Sequence, residues 1–228
     1  MRTTKWIFLI PALAGALCFA GDGQPAPAAS PAAQAPAASP AAPEPAAVPD
    51  VYRVKFQTTK GDFVIQVTKA WAPIGAERFY RLIESKFYDD CAFFRMVSGF
   101  MVQFGVSGDP KVNAAWKNRR IADEPAKKSN GVGMITYAMS TKNSRTTQVF
   151  INFGDNSALD RKGFAPFGKV VSGMDVVRNL YSVYGDLRAL GGNGPDSNLI
   201  EEQGNAYLHA KFPKLDYIKT ARLVEGSK

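Results

Sequence analysis

The chain has 228 residues, a formal net charge of +8, two cysteines and one histidine. A single histidine, His209, and the lack of a Gly-x-Ser-x-Gly elbow argue against a Ser-His or Cys-His pair for nucleophilic catalysis, and neither His209 nor Cys91 has ligand-spaced partners for a metal. The basic stretches at 117–120 and 127–128 accompany no nucleic-acid motif and read as a solvated face.

Residues 1–20 begin with Arg2 and Lys5, run apolar from Trp6 to Leu17, and end in small residues at Ala20-Gly21. This is the pattern of a secretory signal peptide cut after Ala20, too short for a spanning helix. Cys18 offers a lipid-attachment alternative, which Leu17 disfavours because such sites carry a small residue there. Residues 21–50 are dominated by Ala and Pro, with Ser, Gln and a few acids between, and predict a disordered, semi-rigid tether of up to about 90 Å at roughly 3.1 Å per residue. Residues 51–228 are long enough for one domain with a substantial core. Once the leader is removed Cys91 has no partner for a disulfide and reads as a buried, inert thiol. The expected location is the periplasm or cell envelope, with membrane attachment only if Cys18 is lipidated.

The domain opens with a hairpin of segments 51–56 and 61–65, turning at Thr59-Lys60-Gly61-Asp62. Pro73 suits a helix start, and Phe79, Leu82, Ile83 and Phe87 then recur at helical spacing. Short strands are predicted near 92–97, 100–104, 134–139, 148–152 and 164–171. A second helix after Gly173 would place Met174, Val177, Tyr181 and Tyr184 on one side. Beyond Gly185 the chain is Gly-rich at 191–194 and reads as a packed loop of unassigned role, before a last strand near 215–224. The segment 155–160 starts like a calcium loop but lacks its glycine and terminal glutamate, and 191–194 lacks the spacing of a dinucleotide loop. Many short strands and few long helices imply a mainly β domain, an antiparallel barrel with helices at its ends.

Side chains alternate along a strand, so each strand has two faces. Val102 and Phe104 give one apolar face, whereas Met101 and Gln103 share the other. Likewise Val149 and Ile151 point one way, and Gln148, Phe150 and Asn152 the other. A large apolar group beside an amide on the face away from the core suggests a ligand groove.

The order Phe93-Phe94-Arg95, Gly99 through Gly105, Gly133 through Met139, Thr147 through Ile151, Leu159-Asp160 and Phe167 through Val177 resembles the cyclophilin family of peptidyl-prolyl cis-trans isomerases, from about Val51 to Gly185. The resemblance implies a closed eight-stranded barrel capped by two α-helices and proline-containing polypeptides as partners; a monomer without cofactor or metal is expected. It implies that Arg95 donates to the twisted amide nitrogen and that Gln103 bonds the substrate backbone. It also implies that Phe100, Met101, Phe150 and Leu159 form the proline pocket. Ala138 would line the groove, Met139 would stand where the family uses main-chain groups, and Gln148 would support the others from behind. Three positions depart from the family. Phe94 and Phe164 replace histidines, the latter at the pocket edge, and Ala158 replaces a tryptophan. Together they imply a more apolar groove, modest turnover and weak cyclosporin binding. The rival readings are a proline-segment-binding chaperone or scaffold without turnover, and an envelope protein that binds through its basic surface or tail.

Overall fold

The computed structural model describes residues 47–224. The expected leader and nearly all of the tether lie outside them. Packing begins before Val51: Val48 is already buried in the core, and Asp50 accepts the Lys69 N–H at 2.8 Å.

Eight strands form one sheet: β1 (Val51–Thr58), β2 (Gly61–Thr68), β3 (Arg95–Val97), β4 (Met101–Phe104), β5 (Met134–Tyr137), β6 (Val149–Asn152), β7 (Pro166–Ser172) and β8 (Ile218–Leu223). The order is β3-β4-β6-β5-β7-β2-β1-β8, with every neighbouring pair antiparallel. Alternation decides the inner face. Val54, Phe56, Ile65, Val67, Val102, Phe104, Val149 and Ile151 are fully buried. Phe56 stacks on Phe63 at 4.8 Å, and Phe79 packs on Phe167 at 5.0 Å. Each such side chain removed from water contributes roughly 1.5–3 kcal/mol.

The expected closed barrel is corrected to an open half-barrel. At the seam, segment 90–93 meets 216–218 through the single bridge Ala92↔Tyr217 and the bonds Asp90 N–H to Ile218 O (2.8 Å), Ile218 N–H to Cys91 O (2.9 Å) and Phe93 N–H to Asp216 O (3.0 Å). Farther along, Met96 gives its N–H not to β8 but to Gly185 O at 3.2 Å. The tail segment therefore occupies the edge of β3 that closure would need.

The expectation of two helices is also corrected. The described residues hold α1 (Pro73–Glu84), α2 (Pro110–Trp116), α3 (Met174–Arg178) and α4 (Ser197–Lys211). Helix α3 ends before Tyr181 and Tyr184, so these do not share its face. The expected loop ends at Asp196, and α4 follows it, capped by Asp196 accepting from the Asn198 N–H at 2.8 Å. Gly204 breaks α4 with φ of 59°, and a Cβ there would collide with the carbonyl oxygen of Gly108. That close approach lets Asn205 donate its N–H to Gly108 O at 2.9 Å, tying α4 to the loop before α2.

Ala72 offers no side chain to cap α1. The Glu124 carboxylate takes that place, accepting from the N–H groups of Ile74 (2.6 Å) and Gly75 (2.9 Å), where the helix dipole favours an anion. Arg145, 1% exposed, completes the pair by donating from Nη1 and Nη2 to Glu124 Oε2, both at 3.2 Å. Its Nη2 also donates to Ala122 O. Removing one partner strands the other charge in the interior, so Arg145→Met should cost about 3–5 kcal/mol in urea unfolding. The double variant Arg145→Met/Glu124→Leu should lose less than the two single changes summed; strict additivity would refute the coupling.

Candidate active site

Strand register builds the site. In the ladder Arg95 lies opposite Gln103, Gln103 opposite Phe150, and Phe150 opposite Thr136, forming one row across β3, β4, β6 and β5. The next row on this face pairs Val97, Met101 and Asn152. Cross-strand neighbours within a row stand close enough for side chains to bond. Arg95 Nη1 donates to Gln103 Oε1 at 3.0 Å, and Gln103 Nε2 donates to Gln148 Oε1 at 2.8 Å. Gln148 is placed in turn by Thr147, whose carbonyl accepts from the Tyr88 hydroxyl at 3.0 Å and whose hydroxyl donates to Gly105 O at 2.8 Å.

Sequence reasoning missed the strongest partner of Arg95. Asp186 receives Nε on Oδ1 at 2.6 Å and Nη2 on Oδ2 at 3.3 Å, a two-pronged pairing that fixes the guanidinium plane. Burial opposes the charge on Asp186. The bond and charge of Arg95, with the Leu187 N–H, outweigh it and hold the carboxyl below its ordinary range. Nη1 and Nη2 each keep one N–H that no described residue accepts.

All ten residues singled out from the sequence line one cavity of about 440 Å³: Arg95, Gln103 and Gln148 beside Phe100, Met101, Phe150, Leu159, Phe164, Ala138 and Met139. The apolar members form a cup. Phe164 sets its ring edge-on to Phe150 at 5.9 Å. The rim is held by a buried asparagine. Asn130 Nδ2 donates to Asp160 Oδ1 (2.7 Å) and Phe164 O (2.8 Å), while its Oδ1 accepts from the Thr136 hydroxyl at 2.7 Å. Asn156 Nδ2 donates to Phe100 O at 2.8 Å and to Asn152 Oδ1 at 2.7 Å. Asp160, within the stretch that began like a calcium loop, is thus engaged by Asn130 and by the Ser129 hydroxyl at 2.6 Å.

The expectation that three departures make the groove more apolar is corrected. Only Phe164 faces it. Phe94 is 1% exposed and packs into a second apolar cluster with Ile200, Leu208, Phe212 and Leu215 of the tail. Ala158 is exposed and lies off the lining. The tail also adds a wall that sequence reasoning missed, with Leu187, Ser197, Asn198 and Glu201 facing the same cavity. Burial raises the Glu201 carboxyl above its ordinary range, against the pull of Lys117. Cys91 is fully buried away from the groove, and desolvation pushes its thiol well up. The sole sequence signal for the wall and for Asp186 is the length of the segment beyond Gly185; nothing local points it toward Arg95.

The family model for cyclophilin type peptidyl-prolyl cis-trans isomerases matches residues 53–193. The chain is 36% identical over 133 residues to the peptidyl-prolyl cis-trans isomerase cypE of Dictyostelium discoideum, covering 56% of this chain and 83% of that protein. It is 36% identical over 140 residues to peptidyl-prolyl cis-trans isomerase A of Dickeya dadantii, covering 57% and 71%. Among solved structures, a Cryptosporidium parvum cyclophilin type isomerase superposes with a TM-score of 0.56 at 19% identity, covering 77% of this chain and 99% of that one. The same protein has been solved in the presence of the dipeptide Ala-Pro. With more than half of its length matched by the family model and a relative 36% identical over 83% of that relative's length, the chain belongs to the cyclophilin-type peptidyl-prolyl cis-trans isomerase family.

Proposed function

We propose that this chain accelerates rotation about Xaa-Pro bonds of exported polypeptides, with Arg95 as the donor that favours the twisted amide. An Xaa-Pro bond turns over in tens to hundreds of seconds because partial double-bond character imposes a barrier near 20 kcal/mol. No covalent step is required. As the amide twists, its nitrogen becomes pyramidal and gains a lone pair that accepts a hydrogen bond. A guanidinium suits this role because it never loses its proton.

One observation carries the reading: an immobilised guanidinium with uncommitted N–H groups lines the same cavity as a cup of Phe100, Met101, Phe150, Leu159 and Phe164. The proline ring would sit in the cup, Gln103 would bond the neighbouring backbone, and Gln148 would fix the Gln103 amide. Binding alone does not accelerate the step; the gain comes from a donor that bonds the twisted form more strongly than either planar one.

The proposed setting is the periplasm or cell envelope, reached through the leader at 1–20, with the protein acting as a monomer on proline-containing clients. Mass analysis of exported protein should find a chain starting at Gly21. A chain starting at a lipid-modified Cys18 would instead establish membrane attachment.

In a protease-coupled assay on a short Xaa-Pro peptide, Arg95→Ala should lower kcat/KM about 100-fold, the scale for removing one preorganised donor. Arg95→Lys should recover little, since an ammonium cannot reproduce the planar fork. If wild type and Arg95→Ala both match the uncatalysed rate while the peptide still binds, the groove is a binding module rather than an enzyme site.

A further inference from the structure

We infer that Asp186 is a positioning residue for Arg95, delivered to it by the segment between α3 and β8; the inference rests on Arg95 being the catalytic donor. Gln103 holds one edge of the guanidinium through Nη1, whereas Asp186 holds Nε and Nη2. Without Asp186 a single anchor would remain, and the side chain would swing about it. Asp186 does not line the cavity, so it reaches the reacting amide only through Arg95.

Asp186 is itself fixed from several sides. Its Oδ1 accepts the Leu187 N–H at 2.7 Å, and its carbonyl oxygen accepts the Gly194 N–H at 2.8 Å. Gly192 and Gly194 press against that carbonyl so closely that a Cβ on either would collide with it. On one side Gly185 O takes the Met96 N–H from β3 itself. On the other, Phe94 anchors the segment by burial with Ile200, Leu208 and Phe212. The residue before Arg95 thus secures the segment that carries the partner of Arg95.

The test uses the mature full-length chain with a saturating Xaa-Pro peptide, read by NMR exchange so that the on-enzyme rate and Kd are obtained separately. Asp186→Asn keeps the shape but puts an N–H donor opposite Nη2. It should lower the on-enzyme rate by about 10-fold to 100-fold, the scale of a slight misplacement, with Kd changed less than about twofold. Asp186→Glu should recover part of the rate. The ¹⁵N relaxation of the Arg95 Nε–H should report an ordered group in wild type and a mobile one in Asp186→Asn. Gly192→Ala, which displaces the loop and leaves the carboxylate in the sequence, should give the same signature. An unchanged or faster rate in Asp186→Asn would overturn the inference, as would Nε–H order that does not fall. A wild-type chain that fails to accelerate exchange would remove the catalytic reading of Arg95; the Nε–H order would still decide whether Asp186 positions it.

Discussion

The site depends on one register. Three short antiparallel strands align Arg95, Gln103 and Phe150 so that a cation, an amide and an apolar ring share one row. A slip of one residue in β4 would exchange Gln103 for Val102 or Phe104, putting a core side chain in the groove and an amide in the core. The register is guarded by burial on the opposite face, where Val102, Phe104, Val149 and Ile151 are all fully buried. Core packing and site geometry are therefore two faces of a single constraint. The polar network behind the cup adds a second hold, since Asn130 and Asn156 bond backbone groups of the residues that form its rim.

The tail explains why the sheet stays open. A free strand edge is normally covered or blunted. Here Gly185 covers the edge of β3, so the ladder stops and the seam is completed by a single bridge at Ala92. Phe94 belongs to the same arrangement. An aromatic ring at that position is buried under α4, where a polar side chain would need a partner.

Much of this is legible in the sequence. Period-2 alternation separates core from groove on β4 and β6, and the family resemblance alone brings Arg95 together with the cup. Helix α1 is readable from Pro73 and from Phe79, Leu82 and Ile83, although it ends at Glu84, before Phe87 of the predicted stripe. The hidden features depend on distant pairing. Glu124 caps a helix that starts some fifty residues earlier and is neutralised by Arg145, so neither charge can be told from a surface one by its neighbours in the chain. Helix α4 is obscured by Gly204, which splits its apolar spacing between Ile200 and Leu208. Asp186 is 91 positions from Arg95, and no local rule connects them.

A carboxylate on the proposed donor offsets its positive charge, which would weaken a site built to stabilise an anion. Amide rotation makes a different demand. The reaction creates no net charge: resonance is lost and a neutral nitrogen lone pair forms, so the twisted state asks for a well-aimed hydrogen-bond donor more than for an uncompensated cation. An unpaired guanidinium would also attract anions and wander among rotamers. Paired with Asp186 and Gln103, it has a fixed plane and retains N–H groups on both terminal nitrogens. The ion pair gives up field strength, which this chemistry needs little of, and gains direction, which it needs most.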